Sequence, residues 1–161
     1  MMAGLVEPLL PPAWTLRSRN AERGVPMITD EAGLAVAAEE VVRIGCALAS
    51  GVDAIVVAAF GDPGVKALRA LVSIPVVGIG EAALREAGAG GRRFGVATTT
   101  PALVASIGAR VEQLGLAVSF SGVRVPRGDP PWPWRRAHRI RTRRWPRRCW
   151  PACGTTERKR S

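Results

Sequence analysis

Between residues 27 and 118 short apolar runs alternate with segments of helical periodicity, and nearly every junction carries a glycine or a proline. Strands separated by helices pair in parallel, so this alternation predicts an α/β domain with a largely parallel sheet. Residues 25–28 form a short, weak strand candidate. Asp30 reads as an N-cap, and Leu34, Ala38, Val41, Val42, Gly45 and Ala49 recur at helical spacing up to Ser50-Gly51. Cys46, four residues after Val42, is expected on the core face of that helix. Residues 54–58 read as a buried strand, and Pro63 as the entry to a helix with Val65, Leu68 and Leu71 on its apolar stripe. Strands are then expected at 74–79 and 94–97, and helices at 81–87 and 101–114, stopped at Gly88 and Gly115. Residues 116–120 suggest one more strand.

A chain of 161 residues suffices for one domain with a core. Its formal charge of +10 is unevenly placed: residues 1–123 hold ten Arg/Lys against eleven Asp/Glu, and residues 124–161 hold thirteen against two. The body is therefore near neutral and the tail alone is basic. Three cysteines, Cys46, Cys149 and Cys153, are too few and scattered for a disulfide framework, which points to a reducing cytoplasm. There is no signal-peptide pattern at the start and no apolar run long enough to span a bilayer, so no membrane role is expected.

Three segments are expected: 1–23 irregular, 24–125 the α/β lobe, and 126–161 a basic Arg/Pro/Trp tail without helical or strand period, read as disordered. In GC-rich DNA the codons of Ala and Gly runs, translated one base out of phase, yield Arg, Pro, Trp and Cys. Both ends are therefore read as truncated or frame-shifted, with a genuine basic tail as the alternative. Its cations and tryptophans suit non-specific contact with nucleic acid, but nothing in the pattern folds them into a reader. Cys149, Cys153 and His138 lack the spacing of a structural zinc site, so no metal is expected.

Gly61, Pro63 and Gly64 form a tight turn after the strand at 54–58. Its backbone N–H groups are expected to point from the carboxyl edge of the sheet, where open α/β sheets bind ligands, with Asp62 capping the following helix. The plainer alternative is a simple connector. Thr98, Thr99 and Thr100 end a later strand at the same edge, where their hydroxyls suit a carboxylate or imide, or else cap the helix begun by Pro101. Gly78-Ile79-Gly80-Glu81-Ala82-Ala83 matches the form of a dinucleotide fingerprint. The acidic ribose ligand expected about 20 residues on is missing, since Ala97-Thr98 stands there, and a nicotinamide site is disfavoured.

Ala58-Ala59-Phe60-Gly61-Asp62-Pro63-Gly64, Pro75-Val76-Val77-Gly78-Ile79-Gly80-Glu81-Ala82-Ala83 and Phe94-Gly95-Val96-Ala97-Thr98-Thr99-Thr100 together resemble the hydantoin racemase branch of the aspartate/glutamate racemase superfamily. The resemblance covers roughly residues 24–125. It implies one lobe of a three-layer parallel-sheet fold and a cofactor-free isomerase of amino-acid derivatives, acting on a small molecule without metal. Such racemases need two acid/base groups on opposite faces of one α-carbon, supplied in the superfamily by two cysteines, one from each half. Many members carry the first where this chain has Ala59, so no intact catalytic residue is expected here. The resemblance implies that Phe60, Gly61, Asp62, Glu81, Thr98, Thr99 and Thr100 hold the ring amides and stabilise an enolate. Glu81 has the simpler alternative of a first-turn helix residue.

Other functions compatible with these residues are a decarboxylase or isomerase using a single cysteine from the second half, and a non-catalytic module for a small ligand or polyanion. A sheet edge left open by a missing half would promote self-association into homo-oligomers.

Overall fold

In the computed structural model, which describes residues 6–126, a one-turn 3-10 segment Glu7–Leu9 is followed by irregular chain as far as Asp30. Helix α1 spans Glu31–Leu48 and begins where expected, because the Asp30 side chain accepts a hydrogen bond from the Gly33 N–H at 2.8 Å. Strand β1, Ile55–Val57, leads into helix α2, Val65–Leu71. Strand β2, Val76–Gly78, passes without a loop into helix α3, Ile79–Gly88. Strand β3, Phe94–Ala97, is followed by a 3-10 turn Pro101–Leu103 and helix α4, Val104–Gln113. Strand β4, Phe120–Arg124, closes the described chain.

Among the described residues all strand pairing is parallel, as the alternation predicts, and it is divided between two ladders. β1 pairs with β2 in the register Ile55↔Val76, Val56↔Val77 and Val57↔Gly78. β3 pairs with β4 from Phe94↔Phe120 to Ala97↔Arg124, with an irregularity between Phe94 and Val96. The main core lies under one face of the first ladder, where Ile55, Val57 and Val76 meet Val65 and Leu68 of α2 and the partly buried Val41 and Val42 of α1. The opposite face carries Val56 and Val77 side by side, both exposed. Two α1 and α2 positions set the closeness of that packing: a Cβ at Gly45 would press into the Leu68 side chain.

Several expectations are corrected. Residues 25–28 form no strand, since β1 is paired only with β2 among the described residues and offers them no ladder. The last strand starts at Phe120 instead of Leu116; a 3-10 turn, Ala117–Ser119, precedes it and leaves Val118 fully exposed. The pairing of Phe94 with Phe120, their rings 5.5 Å apart, sets that start. Cys46 is exposed, not buried. The inner face of α1 is the Val41, Val42, Gly45, Ala49 stripe, and Cys46 is turned about 100° away from Gly45 by the helical pitch. Leu71, placed on the apolar stripe of α2, is also exposed.

No helix among the described residues is long and apolar enough to cross a membrane. The basic segment from residue 127 onwards, with Cys149, Cys153 and His138, lies outside the described residues.

Candidate functional site

The turn that follows β1 reverses sharply at Asp62, whose φ of 48° makes it the one non-glycine residue in the left-handed region among the described residues. Its N–H bonds back to the Ala59 carbonyl at 2.8 Å. Aspartate adopts such a φ more readily than most residues, yet the strain still needs compensation. The compensation lies in its carboxylate, which is fully buried. One oxygen accepts from the Gly80 N–H at 2.8 Å, the other from the Glu81 N–H at 2.6 Å and from Arg110 Nη1 at 2.9 Å. Arg110 also reaches the Gly61 carbonyl through Nη2 at 3.4 Å.

Asp62 therefore does not cap the helix it precedes. The N-cap of α2 is Gly64, without a side-chain bond, and Asp62 instead caps α3, the helix after the next strand. A carboxylate against these first N–H groups satisfies orphan donors and complements the helix dipole. The same contact explains the glycines that imitate a dinucleotide fingerprint. A Cβ on Gly78 would collide with the Asp62 carboxylate, and one on Gly80 with the Phe60 carbonyl oxygen. The N–H groups that a pyrophosphate would need are already taken by Asp62.

The threonine segment lies at the end of β3, where the Thr98 N–H extends the ladder to the Arg124 carbonyl at 3.0 Å. The Thr98 and Thr100 hydroxyls are 2.7 Å apart, and the Thr100 N–H donates to Thr98 Oγ1 at 3.2 Å. Thr100 is the N-cap of the 3-10 turn but its side chain makes no cap bond. The hydroxyl pair is thus used to shape the rim, and Thr99 stays exposed.

A cavity of about 820 Å³ opens between these two segments. Ala59, Phe60 and Gly61 line it from the first ladder, and Thr98, Thr99 and Thr100 from the second. Leu34, Leu84, Leu103 and Ile107 give it apolar walls. Two predicted residues do not reach its surface: Asp62 is buried beneath, and Glu81 faces elsewhere, bonded to Arg69 and Arg85, each at 3.0 Å. The Arg69 guanidinium first, and Arg85 after it, hold the Glu81 carboxyl below its ordinary value against the opposing effect of burial.

Three lining residues escape any sequence motif. Among the described residues Arg110 is the one cation that lines the cavity, and Glu31 and Ser106, also of its lining, form a hydrogen-bonded pair. The one sequence trace of Arg110 is a charge between Ile107 and Val111 on the buried face of α4, where an unpaired cation would be costly.

Comparison with known proteins adds a consistent set of likenesses. Residues 1–131 match the family model described as Asp/Glu/Hydantoin racemase. The chain is 46% identical over 67 residues to a hydantoin racemase from Rhizobium meliloti, covering 42% of this chain and 28% of that protein. It is 36% identical over 75 residues to one from Pseudomonas sp. (strain NS671), covering 47% and 30%. Allantoin racemase from Klebsiella pneumoniae superposes with a TM-score of 0.72 at 30% identity, over 77% of this chain and 51% of that one. The chain therefore spans about half of the solved relative and under a third of the curated ones in these matches.

Proposed function

Because the chain belongs to the Asp/Glu/hydantoin racemase family, we propose that the cavity between the two ladders is a substrate site for a hydantoin-type ring, the first half of a cofactor-independent racemase centre. The observation that carries this is the convergence of Ala59, Phe60 and Gly61 with Thr98, Thr99 and Thr100 on one cavity, from turns 39 residues apart in the chain. Racemisation at the ring carbon requires one group to remove its proton and another on the opposite face to return one. Removal leaves an enolate, and donors aimed at its oxygen lower the barrier when they bind it more strongly than the ground-state carbonyl. The Thr99 hydroxyl, the one hydroxyl hydrogen that the Thr98–Thr100 pair leaves over, and Arg110 supply such donors. Asp62 holds the turn that presents Phe60 and Gly61, and is a positioning residue.

Ala59 lines the cavity at the position where the family resemblance implies the first of the two thiols, and its methyl group can neither take nor give a proton. The chain as it stands is accordingly proposed to bind the ring without racemising it. An exposed free thiol at Cys46 suits a reducing compartment, and the cytoplasm is the location proposed.

The test is to mix the purified chain with one enantiomer of a 5-substituted hydantoin. Thermal protection without change in optical rotation is expected. Racemisation that is lost in a Thr99→Val variant would overturn the inactive assignment, and absence of any ligand effect would overturn the site itself.

A further inference from the structure

Ser106 and Arg110 are separated by one turn of α4 and both line the cavity. Residues spaced four apart share a helix face, with Cβ atoms about 5–6 Å from one another. Each is tied to the other side of the cavity: Ser106 Oγ donates to Glu31 Oε1, and Arg110 grips Asp62 and the Gly61 carbonyl. Among the described residues, Glu31 is the sole carboxylate and Arg110 the sole cation that line the cavity. An ionised carboxylate only accepts hydrogen bonds and a guanidinium only donates them. Glu31 Oε2 has no protein partner among the described residues, and Arg110 uses two of its five N–H groups. The cavity thus offers an anionic acceptor at Glu31, beside Ser106, and a cationic donor at Arg110, one helical turn from Ser106.

We infer that Glu31, aimed by Ser106, is a specificity-determining residue that accepts a ring N–H of a cyclic ureide, while Arg110 donates to a ring carbonyl. The inference rests on the proposed function of the cavity. A small ring carrying adjacent N–H and C=O groups satisfies both residues at once and lays its substituent on Leu34, Leu103 and Ile107. A ring-opened ligand with a free carboxylate satisfies Arg110 but meets the like charge of Glu31. Selectivity then has an attractive and a repulsive component in the same side chain.

The experiment measures binding of 5-isopropylhydantoin and of its ring-opened counterpart, N-carbamoylvaline, to the full chain and to Glu31→Gln at neutral pH. Glu31 is exposed at the start of α1, and glutamine keeps its size, so thermal unfolding should be little changed. Replacing a charged acceptor by a neutral one should weaken the hydantoin about fivefold to tenfold, while N-carbamoylvaline binds more tightly. A purely structural role would move both ligands in the same direction. Shifts of the same sign, or none, overturn this inference alone. Failure of the unaltered chain to bind 5-isopropylhydantoin overturns the proposed function and this inference with it.

Discussion

In the β1–β2 ladder Ile55, Val57 and Val76 are buried and rest on two helices, whereas in the β3–β4 ladder no strand residue is fully buried and the alternation runs from half-buried to exposed. Both consist of short apolar runs that the sequence sets between segments of helical periodicity. The difference lies in what covers them. Gly45 lets α1 press on Leu68, and α2 in turn presses on β1, while the second ladder depends on Ile107 and Val111 of α4 and on the single stack of Phe94 with Phe120. The Ala59 to Gly61 wall of the cavity is therefore braced from behind by a core. The threonine wall is held by its own hydroxyl pair and by ties that cross to the first ladder's side.

The strongest way to break this comparison is to cut the main cross-tie. Arg110→Ala leaves the Asp62 carboxylate buried with a positive φ and only two backbone donors, and should cost about 3–5 kcal/mol in a denaturant titration. Combined with Asp62→Ala, the loss should be well below the sum of the two single losses. A cost below about 1 kcal/mol would mean that the ladders are held together by something else.

Next in size is the contrast between the two cores. Leu68→Ala should destabilise by about 2–5 kcal/mol, because the side chain is completely buried. Val96→Ala, half-buried in β3, should cost about 1 kcal/mol. Equal losses would erase the asymmetry.

Acid sharpens the comparison on the first ladder's side. The Arg43 guanidinium above all, with help from the Glu22 N–H and against the opposing effect of burial, holds the Glu40 carboxyl down to about 2 from its ordinary 4.5. A carboxyl depressed in the folded state contributes stability that is complete above about pH 4.5 and is lost as pH falls towards 2. The protection factor of the Glu22 amide, its exchange rate corrected for the intrinsic pH dependence, should fall across that window and stay unchanged between pH 6 and 8. Loss of protection near neutrality would show that Glu40 does not anchor this segment.

The smallest effect is expected at the rim. Thr98→Val removes one hydroxyl of the pair and should cost about 1 kcal/mol, with loss of protection confined to β3 and β4. Equal loss of protection in β1 would indicate that the ladders unfold as one unit.

The fold class was legible because period and punctuation are local. Asp30 was found as an N-cap from its place before a helical stripe, and Phe94–Ala97 was bounded correctly between a glycine run and threonines. The two misplaced strands share one cause: residues 25–28 and 116–119 have strand composition, but a strand exists only where a partner edge is available. Cys46 was assigned to the core from spacing alone, and the close approach at Gly45 rotated the true inner face away from it.

The candidate site was half legible. The turn at Ala59 to Gly61 and the three threonines announce themselves by glycine content and clustering, and the tertiary structure brings both to one cavity. By itself the sequence determined which segments become strands and helices and which backbone turns lie at their ends, since propensity, capping and periodicity act within a few residues. Only the tertiary structure decided which helix Asp62 caps, that Arg110 neutralises it across 48 residues of chain, and that Glu31 reaches Ser106 across the cavity. Those choices depend on burial and on opposite charges meeting through space, and nothing in local spacing records which distant group arrives.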